Sequence, residues 1–304
     1  MHRAHYALWE RCQKFVHDVC LDRGPSHGYT HMNRVTEQAI LLYHLNADSR
    51  EANPESTFDL YAIILVAMLH DVADHKYDSD GVLALRLLDF VTDEVAQWIQ
   101  LAHDPLGFLL ASNAQPLGVL QAVLTNPARI FAEDDAAMLR QQSLSDLLET
   151  IFSTIKAVSY SVENKKGMGW FKKVLPPRWL AIRNVVSDAD KLDALGEDGL
   201  MRSYAYVCET YQEKCFTRPS NSPGEKPISP EKKAAIMRLF FDEVRTHFRD
   251  KLSRLPSLFI VTSAGKFLAT SRYEAMVTVL EDWELNGPPP IELYWPTVDL
   301  DWVD

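Results

Sequence analysis

Cysteine is scarce in this sequence: four residues in 304, with no CxxC pair. Cys12 and Cys20, like Cys208 and Cys215, stand at helical spacings of eight and seven. That excludes a disulfide framework or a zinc ribbon and leaves buried free thiols as the expectation. Long apolar runs are missing as well. Nowhere do about 18 consecutive apolar residues occur, the minimum for a membrane-spanning helix. The opening stretch, MHRAHYALWERCQKF, has no apolar core of signal-peptide length, so a cytoplasmic chain is expected. Positive charge is in deficit: 31 Lys and Arg face 42 Asp and Glu, a net charge of −11. Such a surface repels phosphate backbones and anionic lipid on average, so neither bulk nucleic acid nor a membrane is an expected partner. An anionic substrate would need a local cluster of cations or a bound metal ion. A convincing series of alternating strands and any internal repeat are also absent.

What is present is a hydrophobic fraction of 47% and a charged fraction of 24%, ordinary for a chain with a packed core. Apolar residues recur at three- and four-residue spacing, which predicts a mostly helical fold. Helical patterns run over 4–20, 31–46, 58–71, 143–158, 178–195, 198–216, 230–254 and 262–285. The stretch 58–71 is apolar all round and is expected at the centre. After Gly81, the segment VLALRLLDFVTDEVAQWIQLA reads as two short helices, the second capped by Thr92 or Asp93. Residues 103–135 hold Pro105, Gly107, Pro116, Gly118 and Pro127, which suits a loop-rich insertion. The sequence NKKGMGWFKKVLPP is a basic, glycine-bearing connector expected to be mobile, and NGPPPIELYWPTVDLDWVD is a Pro-rich acidic tail. The expected organisation is one helical domain over 1–286, with an insertion at about 103–150 and the tail at 287–304.

Chemistry concentrates in three places. His70 and Asp71 follow the apolar run YAIILVAML, where charged groups are seldom buried unless paired or metal-bound. Upstream, SHGYTHMNRV sets His27 and His31 four apart at a helix start. Downstream, VVSDADKLDALG sets Asp188, Asp190 and Asp193 in an otherwise apolar helix. Imidazoles and carboxylates together make a mixed nitrogen and oxygen set suited to manganese, iron, magnesium or nickel rather than a closed zinc site.

The order H…HD…D inside helices resembles the HD superfamily of metal-dependent phosphohydrolases. The stretches HGYTHMNRV, AMLHDVADHKY, AVSYS, VVSDADKLDALGEDGLMRSYAY and HFRDKLSRLPSLFIVTSAGKFLATSRYEAMVTVLEDW resemble, in order and spacing, the bacterial group that includes nucleotide pyrophosphohydrolases. The resemblance covers most of 1–100 and 150–285. It implies an all-α bundle holding one divalent cation through His31, His70, Asp71 and a carboxylate of DADKLD. Asp190 matches the family position. Asp190 and Asp193 lie about 60° apart around a helix and Asp188 points away from both; Asp188 and Asp193 are expected to support or cap. His27 is a candidate to orient His31.

Asp74, three residues beyond Asp71, is the candidate proton handler if the helix continues, and His75 follows it. The related guanosine tetraphosphate hydrolases carry an acidic pair here, and this chain has Asp-His instead. Lys76, Lys191 and Arg202 are candidate phosphate contacts, and Lys251 and Arg272 match charged positions of the C-terminal motif. The expected activity is hydrolysis of a phosphoester or phosphoanhydride of a small nucleotide-like substrate. Two alternatives are an HD-fold nucleotide sensor without turnover and a diiron oxygenase, which would need further histidines from His27, His75 and His103.

Overall fold

The computed structural model describes residues 3–21, 23, 27–46, 57–74, 76–103, 131–200, 202–203 and 230–287. Among them there are helices and no strands: α1 (Arg3–Val19), α2 (Tyr29–Leu45), α3 (Thr57–Leu69), α4 (Val82–His103), α5 (Glu133–Gln141), α6 (Leu144–Val158), α7 (Tyr160–Lys166), α8 (Pro177–Asp193), α9 (Pro230–Asp250) and α10 (Ser263–Asn286), with short helical turns at 170–173 and 252–259. The all-α expectation holds. No helix among the described residues is long and apolar enough to cross a membrane.

Helix α3 is the axis of the bundle. Every residue from Phe58 to Leu69 is buried, and α1, α2, α6 and α8 pack around it. Twelve consecutive inward residues are possible only because neighbours cover every face, and truncating one, as in Leu65→Ala, would cost about 2–5 kcal/mol. Helix α8 is the second pillar and packs on α2, α3, α6 and α10. The His-Asp pair and the DADKLD carboxylates therefore sit at the ends of the two most enclosed helices.

The structure departs from the sequence expectation at three points. Val82–His103 is one helix, since Leu87, Val91, Val95, Trp98 and Ala102 form an unbroken buried stripe. Its buried Glu94 is held by Arg11 at 2.6 and 2.8 Å, so neither Thr92 nor Asp93 begins a new helix. The basic connector is packed: Phe171 and Leu175 are buried, and the Arg183 guanidinium lies 3.6 Å over the Phe171 ring. Helix α3 stops at Leu69 rather than running to 71. Of the proposed insertion, 104–130 lie outside the described residues, while Leu139 and Leu147 are buried in the core. The tail beyond 287, Cys208 and Cys215 also lie outside them. Cys12 and Cys20 are buried free thiols.

Candidate metal centre

Past Leu69 the chain tightens into turns, with the Val72 amide donating to the Leu69 carbonyl and the Asp74 amide to the Asp71 carbonyl. These turns swing His70 and Asp71 off the helix axis to the same side. Carbonyls at a helix end have no intrahelical partner. Arg23 supplies one: it donates to the Asp71 carbonyl at 2.7 Å and the Val72 carbonyl at 2.5 Å, with its guanidinium 4.4 Å above the Tyr77 ring. Nothing in the sequence around Arg23 announced this clamp.

The hydrogen bonds fix both imidazoles in one tautomer. His70 Nδ1 donates to the Ala67 carbonyl at 2.7 Å, so that in the neutral ring the lone pair is on Nε2. His31, fully buried in α2, donates from Nδ1 to Asp193 at 2.8 Å and likewise turns Nε2 inward. Asp190 Oδ1 lies 3.4 Å from His31 Nε2 and 3.6 Å from His70 Nε2, and Asp71 oxygens lie 3.7 Å from each. One ligating atom each from His31, His70 and Asp71 falls within 4.8 Å of the others. With both rings neutral, the four side chains face one point with lone pairs only, an arrangement that a divalent cation suits. His70 Nε2 is buried without a hydrogen-bond partner, a further mark of a metal ligand position.

The electrostatics agree. Burial opposes charge on His70, yet Asp71 and Asp190 outweigh it and lift the imidazole to about 9. Burial pushes the Asp190 carboxyl up, but the neighbouring His31 and His70 hold it well below the usual carboxylate range, and the charges of His70 and His31 lower Asp71 against its burial. Asp193 is held low against its burial by His31 and Arg34. It accepts from Arg34 at 2.9 Å and from Arg202 at 3.2 Å, so this carboxylate supports His31 rather than competing with Asp190 for the inner position. Asp188 caps the start of α10, accepting from the Val261 and Thr262 amides at 2.7–3.1 Å. The approach is close enough that a Cβ at Gly265 would stand 2.6 Å from the carboxylate.

Cations collect above this centre. Arg202 reaches within 3.2 Å of His31 Nε2. Lys251 lies close enough to Asp190, Arg202, Lys76 and Asp71 for their charges to act on it, and its ammonium stands 5.1 Å from the Tyr160 ring centre. Crowding by protein, then Lys251, Arg202 and Lys76, push His247 down to about 4. The same crowding and Arg202 push His27 to about 3, with its ring 6.3 Å from that of His31. His247 was missed by the sequence reading, although its place one helical turn before Lys251 was the available signal.

Two expected contacts do not reach the cluster. Lys191 is buried on the far side of α8, hydrogen-bonded to Ser187 and 3.7 Å from Glu163; burial, then Arg183, bring it down to about 8. Its helical position, one residue past Asp190, turns it about 100° away from the site. Arg272 donates to the Leu192 carbonyl at 2.7 Å and to Gln38, tying α10 to α8 and α2. Asp74 accepts the Lys76 amide at 2.9 Å and so closes the turn after the HD pair. His75 lies outside the described residues.

No protein-family model matches the chain, and no curated protein matches it. Twelve solved chains do. A Lactobacillus plantarum protein is 19% identical over 94% of this chain and 97% of its own, with a TM-score of 0.49. Bacillus subtilis YpgQ, solved in complex with ADP, is 18% identical over 94% and 98%, with a TM-score of 0.47. A HD-superfamily hydrolase from Bacillus thuringiensis is 20% identical over 93% and 100%, with a TM-score of 0.40. At such distances, function has to come from the side chains.

Proposed function

We propose that the chain is a metal-dependent phosphohydrolase acting on a small nucleotide-like substrate. The observation that carries this reading is the convergence of two imidazole lone pairs and two carboxylates beneath a cluster of cations, in a chain whose net charge is −11. His31, His70, Asp71 and Asp190 would hold one divalent cation of the manganese, iron, magnesium or nickel kind. When bound, such an ion lowers the pKa of a coordinated water and draws charge from a phosphoryl oxygen. Lys251, Arg202 and Lys76 would grip the remaining phosphate oxygens, and this local excess of positive charge answers the general shortage of it. Asp193 keeps the Nδ1 proton on His31, so that Nε2 faces the ion. Helix α3 does not continue to Asp74, so helical spacing does not place it beside Asp71; held in the following turn by the Lys76 amide, Asp74 would exchange the proton of the attacking water or of the leaving oxygen. His75 is its candidate companion from sequence. Depressed as they are, His27 and His247 are uncharged at neutral pH and leave room for an anion among the three cations.

The test is to load the protein with each metal, supply nucleoside mono-, di- and triphosphates, and separate phosphate from pyrophosphate. Turnover that His70→Ala abolishes is the expected result. A protein that binds nucleotide and metal yet hydrolyses none of them would refute the hydrolase reading and leave a sensor.

A further inference from the structure

The connector after α7 sets Phe171 and Leu175 into the core and takes no part in the metal centre. Lys165, Lys166, Lys172 and Lys173 fall within nine residues, and 164–177 contain no acidic residue. All four lysines are exposed, and none forms an ion pair among the described residues; the Lys166 ammonium lies 4.0 Å from the Trp170 ring centre. The one neighbouring acid, Glu163, is buried and held by Arg183 at 2.7 Å. Gly167 and Gly169, at φ of +95° and +71°, turn the chain so that Met168 stands between them. Met168 is 54% exposed and Val174 53% exposed, while Phe171 and Leu175 between and beyond them are buried. The loop is therefore pinned by Phe171 and Leu175, and it exposes four lysines and two apolar side chains within residues 165–174. Helix α8 begins at Pro177, and the positive end of its dipole adds to the same field.

We propose that this loop docks the protein on an anionic phospholipid surface, with the four lysines over the headgroups and Met168 and Val174 at the acyl boundary. Charge complementarity selects the partner: the chain as a whole is repelled by such a surface, so it is approached through an exposed cluster of cations such as this loop. The exposed apolar pair favours lipid over nucleic acid, which offers lysines phosphate but no apolar layer. Asp190 lies thirteen residues along α8 from Pro177, about 20 Å away, so docking leaves the metal centre free.

The experiment is co-sedimentation of the full chain with vesicles of phosphatidylcholine mixed with phosphatidylglycerol, and with phosphatidylcholine alone. Binding to the mixed vesicles only, weakened by salt, is expected. Replacing all four lysines by Gln should lower partitioning at least about 100-fold, since each lysine near such a surface contributes about fivefold. Met168→Ser with Val174→Ser should lower it about tenfold or more with the lysines intact. Manganese affinity, read in parallel, should be the same in every variant and shows that each is folded. Equal binding to both vesicle types, or no loss in the lysine variant, overturns the proposal. So does unchanged binding of the serine variant, or displacement from the vesicles by duplex DNA, either of which would mark a general polyanion site.

Discussion

Asp193→Asn separates a carboxylate that sets up the metal centre from one that merely packs. Asp193 is almost fully buried and accepts from His31 at 2.8 Å, from Arg34 at 2.9 and 3.3 Å, and from Arg202 at 3.2 Å. Asn keeps the outline of the side chain but offers one acceptor oxygen and no charge. If that oxygen stays on His31, the two guanidiniums lose their anion; if it turns to Arg34, the Nδ1 proton of His31 faces an amide NH2 and the ring must rotate or change tautomer. Hydrogen bonds to charged groups contribute about 1.5–3 kcal/mol, and Arg34, which is 36% exposed, can recover part of its share in water. The fold should lose about 2–3 kcal/mol, measured by denaturation in EDTA. Separately, the affinity for manganese should fall about 10–100-fold, the usual cost of removing a group that orients a ligating histidine. Titration calorimetry at fixed pH reads this directly. Arg34→Ala is the control: it removes one guanidinium, leaves the His31 bond in place, and should leave metal affinity within about threefold. A manganese affinity in Asp193→Asn equal to that of the wild type would refute the role assigned to this carboxylate.

Asp74→Asn should lower kcat by about 10²–10⁴-fold with metal content intact, as expected for a proton-transfer group; loss of stability with full turnover would leave it only its turn-closing bond to Lys76. Lys251→Ala should raise KM for a nucleotide about tenfold or more without changing metal affinity, and an unchanged KM would remove it from the substrate site. In EDTA, thermal stability should peak near pH 6.5. Below it, His27 and His247, held at about 3 and 4, bind fewer protons than the unfolded chain, so stability rises with pH. Above it, His70 at about 9 holds a proton the unfolded chain has released, and that contribution, about 3 kcal/mol, is lost as pH rises through 9. Saturating manganese should cancel the alkaline loss, because the ion needs the unprotonated imidazole, and parallel curves with and without metal would contradict the site.

Much of this was legible in the chain because the most enclosed helices are also the most telling. The apolar run before His70 could only be a central helix, and a His-Asp pair at its end demanded an explanation that burial then supplied. Asp190 was separable from Asp188 and Asp193 by the motif resemblance, and their rotation about α8 agreed with it. Lys191 misled because a charge next to a ligand looks like part of the site, whereas a helix turns neighbouring residues to different faces. Arg23 and Arg34 were invisible, since their partners lie 48 and 159 positions away in sequence. Backbone carbonyls leave no mark in a sequence at all. His247 carried a faint signal in its spacing from Lys251, and only the packing of α9 gave it meaning.

The complete enclosure of α3 has a kinetic consequence. His70 is the first residue beyond a helix with no exposed face, so the anchor on its N-terminal side cannot unwind locally. Amide hydrogens from about 62 to 69 should exchange with solvent only when the whole domain unfolds, and with the same free energy of opening as one another. The ion would then leave an intact protein, and its release rate would respond to chelator and pH but hardly to denaturant until the bundle itself gives way.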